Sequence, residues 1–574
     1  MKRMLPFKFA SVVVAACLLD GRAIADVLPG AAMPEQVGRS LRQQQIARQP
    51  AATPATLQNQ DQGSAAPLSP EVQKLKFKLI KIELEGNKLF TTPQLQPLYQ
   101  PSIGKEITVA ELFKLVENIT NYYRNNGYVI SRAILPPQHV KGGIVKVQII
   151  EGYLDQVSVI GTPRGSRCLI QDYGKQIAKQ QPLAIERMEK YLMLANEVPG
   201  TQVKAVLSPS KKKSGAADLN LATTTKLFNG YVSYDNYGTR YIGPQQMTGS
   251  IGLNSAINSG DSTNLTFTKT AKGGELTYVD LNYGAAFNDE GVRYLVGGTR
   301  VHTHPLFVLR SSQIDGLNDN YYSMLVIPAI RSRSRSLNYT VGFNYLDSNT
   351  TALDQPLYQD HLRNLDLGIL YSFADRWYGS NSIGGNFRQG LPILGYSSDY
   401  NPDTATTSRP GGRGDYTKAS VQLSRLQAIK GPVSLLGVLR GQWAFNPLLS
   451  SEQFSFGGSV MGRGYDSAEL IGDRGLAGSL ELRYDKAVFR FFVQTLQFYT
   501  FYDVGKIWNL KTSSSTPFAL SAASTGLGVR FTMTKSISGN LMWTQPITKE
   551  VAAEEFINQG KRPRVFFSVV ANLD

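Results

Sequence analysis

From Leu227 to the C-terminus, run after run of the chain alternates between apolar or aromatic side chains and small, polar or charged ones. Tyr339, Val341, Phe343 and Tyr345 are interleaved with Thr340, Gly342 and Asn344. Leu365, Leu367, Ile369, Tyr371 and Phe373 are interleaved with Asp366, Gly368 and Ser372, and Leu527, Val529, Phe531 and Met533 with Gly526, Gly528, Arg530 and Thr532. A period of two is the mark of a β-strand. Soluble sandwiches alternate as well. Here the apolar faces are rich in aromatics and Leu, and the runs reach the roughly 9–11 residues that span a bilayer when tilted. Lipid cannot satisfy an open strand edge, so a sheet of this kind must close on itself. The expected fold class over residues 227–574 is a transmembrane β-barrel.

The first 25 residues read as a signal peptide: Lys2 and Arg3, an apolar core from Leu5 to Leu19, then Ala23-Ile24-Ala25 as a small-x-small cleavage site. A lipoprotein signal ending at Cys17 competes, but Leu18 and Leu19 carry the apolar run past it. Past the leader only Cys168 remains, so no intramolecular disulfide is expected and stability must come from cores or from closure of the sheet. The formal net charge is +16. Its lysines and arginines are dispersed, and the one run, Lys211–Lys213, is flanked by Ser and Gly and reads as a solvated turn; no nucleic-acid partner is expected. The histidines, His139, His302, His304 and His361, offer no third ligand near the 302/304 pair, so neither metal nor cofactor is expected. There is no G-x-S-x-G elbow, no paired-carboxylate motif and no phosphate loop, and the chain does not read as an enzyme. Arg413-Gly414-Asp415 reads as a Gly-rich turn, not as an adhesion motif.

Between leader and barrel the order changes. Residues 33–48 can form a short amphipathic helix with Pro34 at its first position, Val37 and Leu41 one turn apart, and Arg39, Arg42 and Arg48 on the other faces. A tail with transient helix is the alternative. Residues 49–76, with four prolines between 50 and 70, read as an extended linker. Order begins near Phe77: a strand at Ile80–Glu85, a helix capped by Thr108 and Glu111 and ended by Gly127, then strands at Tyr128–Leu135 and Ile144–Glu151. A second unit over 154–226 places a strand at Val157–Ile160, a helix at Ile185–Leu194, and strands at Gln202–Leu207 and Asp218–Thr225.

Three stretches carry a family resemblance. The segment GYVISRAILPPQHVKGGIVKVQIIEG (127–152), within two successive small α/β units before a barrel, resembles POTRA modules, placing POTRA 1 at 77–153 and POTRA 2 at 154–226. The Gly-rich stretch FGGSVMGRGYDSAELIGDRGLAGSLELRY (456–484) resembles the inward-folded loop of two-partner secretion transporters, with Gly462 where the family has Val before Arg463-Gly464-Tyr465. Phe501, Asp503 and Gly505 match the family's Phe-x-Asp-x-Gly strand motif, and Tyr234–Gly238 looks like its first-hairpin segment, which by chemistry alone is a turn.

The resemblance implies sixteen antiparallel strands, and a loop around 456–478 folded into the lumen with Arg463 paired to Asp503. Asp473 and Arg474 could compete as partners within that loop. It also implies a helix in the resting pore, carried by Val37, Leu41, Arg39 and Arg42 within residues 26–48. The site would lie in the outer membrane of a Gram-negative cell with the POTRA modules in the periplasm. These modules can accept an unfolded client by strand addition. The implied partners are a secreted exoprotein of haemolysin or adhesin type with an N-terminal secretion domain, outer-membrane lipid, and the barrel-assembly machinery. The family usually ends in an aromatic residue, where this chain has Asp574. An insertase of the same superfamily is the alternative, though only two modules fit between 77 and 226. A passive porin or plugged receptor fits less well: a porin has no such modules, and residues 26–76 are too short and polar for a plug domain.

Overall fold

The computed structural model describes residues 28–48, 56–59, 74–213, 215–398, 407–490, 493–512, 518–534 and 536–573. The signal-peptide segment and most of the linker lie outside them. Sixteen strands, from Phe228–Asp235 to Arg564–Leu573, form a closed antiparallel barrel. Closure joins the last strand to the first, with Gly230 opposite Leu573 and Asp235 opposite Ser568. Alternation gives each face its chemistry. Tyr339, Val341, Leu367, Ile369, Leu527, Val569 and Leu573 are exposed on the outer wall, where lipid replaces water. The stretch Tyr234–Gly238 is more than a turn. Asn236 donates to the Val565 carbonyl (2.9 Å) and accepts from the Phe567 amide (2.7 Å), stitching the first strand to the last.

Ahead of the barrel stand two α/β modules. In the first, Lys81–Glu85 pairs in parallel with Ile144–Ile150, which pairs antiparallel with Arg132–Ile134. The helix Val109–Asn125 covers that sheet with Leu112, Val116, Ile119 and Tyr123 buried. Thr108 caps it reciprocally, its hydroxyl accepting from the Glu111 amide while Glu111 accepts from the Thr108 amide. Thr108→Ala is expected to lower the stability of this module by about 1 kcal/mol, read as a lower melting temperature of the periplasmic segment.

The second module contains an element that its sequence pattern concealed. Besides Ile185–Asn196 it has a helix at Arg167–Ala178, interrupted in pattern by Gly174. A Cβ at Gly174 would sit 2.5 Å from Val157 Cγ1, so glycine here lets the helix lie directly on the strand Tyr153–Thr162. Within the linker, one extended stretch is paired. Thr56–Asn59 forms a strand pairing in parallel with Lys204–Leu207, and so completes a four-stranded sheet. Lys211–Lys213 lies in a bend, with Lys213 bonded to Asp155 (2.8 Å).

This second module is seated on the barrel turns. Lys190 and Tyr191 reach Glu290 (3.0 and 2.8 Å), Gln176 reaches Asp289 (2.6 Å), and Arg331 reaches Glu197 (2.9 Å). With the modules in the periplasm, as the resemblance implies, these turns mark the periplasmic end and the opposite strand ends are extracellular.

Candidate functional site

Two segments fill the lumen. The helix Pro34–Arg48 buries Val37 and Leu41 among Tyr278, Val301 and Tyr358 of the wall, and Leu28 to Met33 continue this apolar cluster at the extracellular mouth. Four of its charged side chains are each engaged differently. Glu35 accepts from Ser348 (3.0 Å) and Tyr358 (3.3 Å), Arg42 lies 4.1 Å over the Tyr322 ring, and Arg48 donates to Asp235 and Ser233, each at 2.9 Å. Arg39 donates to the Gln453 carbonyl (2.7 Å), so the helix touches the second segment directly.

That second segment is the loop between the strands Val433–Ala444 and Arg474–Arg490. It descends as a small hairpin, Phe454–Phe456 against Leu470–Gly472, and at its tip presents Arg463. The Arg463 guanidinium grips Asp503 through Nε (3.0 Å) and Nη2 (2.8 Å), reaches Glu481 through Nη1 and Ser479 through Nη2 (3.0 Å), and stacks 3.6 Å over Phe501. Asp503 also accepts the backbone amides of Gly462 and Arg463, both at 3.0 Å. The carboxylate is fully buried, so every one of these donors replaces water that it cannot reach. Gly464 donates its amide to Ser524 (3.2 Å), and Tyr465 donates to the Ala523 carbonyl (2.9 Å).

Gly505 explains the spacing of the strand motif. A Cβ there would lie 2.3 Å from the Phe456 ring, which covers the wall at that point. Gly505→Ala must therefore push the hairpin off the wall, at a cost of about 1–3 kcal/mol. The expected outcome is a lower temperature of barrel unfolding, measured by heat-modifiable migration.

The structure sends Asp473 and Arg474 elsewhere than the loop tip. Asp473 pairs with Arg409 and accepts the amides of Leu448 (2.9 Å) and Leu510 (2.7 Å) at the extracellular rim. Arg474 opens the next strand on the outer wall, over the Trp443 ring. Neither competes for Arg463 or Asp503. The inward loop correspondingly ends before Arg474, not at 478.

Several anchors escaped sequence reasoning. Glu452, at the start of the loop, meets Arg388 (2.9 Å) and Lys418 (2.7 Å) of the wall. Asp466 meets Arg564 (2.7 Å) of the last strand, and Glu469 meets Lys549 (2.8 Å). Glu481 gathers Arg483 and Arg530 besides Arg463. The loop thus spans the lumen from one wall to the other on ion pairs. Open spaces of about 830 and 700 Å³ flank the helix, the first lined by Gln44, Arg48 and Arg530, the second by Arg39, Arg388 and Lys418. Elsewhere, His302 faces Asp315 (2.8 Å), and Arg413 folds back on Asp415 within its own turn. Among the described residues no cluster of metal-ligating side chains forms.

Residues 215–531 match the family model of the haemolysin secretion/activation proteins ShlB/FhaC/HecB, and residues 77–152 that of the ShlB-type POTRA domain. The heme/hemopexin transporter protein HuxB of Haemophilus influenzae (strain 86-028NP) is 24% identical over 531 residues, 90% of this chain and 91% of that one. The outer membrane transporter CdiB of Dickeya dadantii is 24% identical over 73% of this chain and 74% of its own length. The solved structure of CdiB from Escherichia coli superposes with a TM-score of 0.71 at 19% identity, covering 94% of this chain and all of that one. A closed sixteen-stranded barrel carrying POTRA modules, matched over more than half its length by this model, belongs to the ShlB/FhaC/HecB family of outer-membrane transporters of two-partner secretion.

Proposed function

We propose that the N-terminal helix and the inward loop together close the barrel at rest, and that an exported client displaces the helix on its way through. The observation that carries this reading is the helix itself. It lies along the lumen between the two open spaces, with Arg39 on the loop and Glu35 and Arg48 on the wall. Lumen ion pairs of this sort are strong where buried and exchangeable where water enters, which suits a seal that must reopen.

The client is an exoprotein of haemolysin or adhesin type, taken up unfolded in the periplasm through its N-terminal secretion domain. Its extended backbone adds to an open strand edge of the first module. Newly made chains reach the membrane through the barrel-assembly machinery. The test is removal of the protein from its host strain. Loss of the cognate exoprotein from the medium with normal levels of other barrels is the expected result. Depleted barrels with undisturbed export would instead mark an insertase.

A further inference from the structure

The outer wall carries a feature that secretion does not use. At the extracellular end of three adjacent strands, Trp443, Arg474 and Trp508 stand side by side facing lipid. Arg474 shares its face with the exposed Leu476, Leu480 and Leu482, while Lys506 and Trp508 share theirs with the exposed Tyr502 and Val504. Arg474 is in register with Trp508, and its guanidinium lies 3.8 Å from the Trp443 ring centroid. Lys506 lies in register with Leu476, its ammonium 5.3 Å from the Trp508 ring. Each cation is therefore held against its own tryptophan ring on the lipid side of the barrel.

A groove of about 710 Å³ is lined by Arg474 itself together with Val421, Gly441, Leu476 and both tryptophans. Gly441 has no side chain to fill it, and Val421 and Leu476 flank the gap. Cations on the lipid face of a barrel are costly at mid-membrane and nearly free at the interface. Their position at the rim, within an aromatic girdle, is thus where headgroups lie. Arg474 spends Nε on the Ala444 carbonyl (3.0 Å), and among the described residues no carboxylate pairs with it or with Lys506. Its two terminal nitrogens remain as a fork suited to phosphate oxygens.

We propose that Arg474 and Lys506, backed by Trp443 and Trp508, bind the phosphate-bearing headgroup of an outer-leaflet lipid, with an acyl chain lying along the groove. The charge decides the occupant: Arg474 on the apolar trough, with Lys506 opposite Leu476 beside it, fits an amphiphile that bears phosphate.

The full-length protein purified in detergent would be titrated with bisphosphorylated lipid A and with its dephosphorylated form. Bound lipid would be counted by native mass spectrometry. The expected result is binding of the phosphorylated lipid at least about tenfold tighter, the size of one charged hydrogen-bonding contact. The double substitution R474Q/K506Q is expected to erase that difference. Equal binding of the two lipids by the wild-type protein would overturn the proposal, and so would an unaffected double variant. Displacement of the lipid by millimolar inorganic phosphate would show a free-anion site and overturn it too. Should the double variant fail to insert, the two-lipid comparison on the wild-type protein decides alone.

Discussion

Arg463→Ala is expected to reduce export of the cognate exoprotein to background while the barrel still inserts at normal levels, measured by client in the medium against barrel in the outer membrane. The reason is how unequally the partners are left. Glu481 retains Arg483 and Arg530, whereas Asp503 keeps only two main-chain amides for a carboxylate with no access to water. Breaking one partner of a buried pair typically costs about 3–5 kcal/mol. The open space beside Arg530, itself bonded to the neighbouring Glu481, places this case toward the lower end. That is still enough to move a loop held by a handful of such contacts.

Two companion variants separate function from stability. Arg463→Lys keeps the charge but cannot make the two-pronged grip on Asp503 or the flat stack on Phe501, so export should remain strongly impaired. The double variant R463A/D503A removes the stranded carboxylate. Its heat resistance should return toward that of the wild type without recovery of export. Export that survives Arg463→Ala would reduce the residue to a packing element.

Deleting residues 28–48 is expected to produce the second large effect, a several-fold rise in single-channel conductance of the purified protein in planar bilayers. The helix separates the two lumenal spaces, and its removal joins them around the loop. It would also free the Gln453 carbonyl, Asp235 and the Ser348–Tyr358 pair, all of which water can serve. The wall should therefore stay folded. Unchanged conductance would refute the idea that the helix closes the pore.

Much of this architecture can be read from residue order. Period-two runs marked the barrel, and the Thr108–Glu111 box marked the first-module helix, because both signals are local. The failures have physical causes. Gly174 breaks the helical pattern at 167–178 because the close contact it serves, with Val157, is made in three dimensions. Thr56–Asn59 is four residues whose partner lies some 150 positions away, and nothing local marks it as a strand.

Glu452, Asp466 and Glu469 went unnoticed because their partners, Arg388, Lys418, Arg564 and Lys549, approach only once the barrel closes. The assignment of Arg474 to the loop interior was avoidable. Counting in twos from Leu480 and Leu476 places it outward with them, and the alternation that identified the barrel already contained that answer.

The linker strand has a consequence for what the second module can receive. Thr56–Asn59 occupies one edge of its sheet, opposite the Tyr153–Thr162 edge, with the same main-chain bonds that an incoming extended segment would make. A tethered competitor acts at an effective concentration on the order of millimolar. Any free polypeptide must outbid it there, and weakly pairing chains in the crowded periplasm would not. That edge is therefore self-buffered: it discriminates by strength of pairing before any side chain is read.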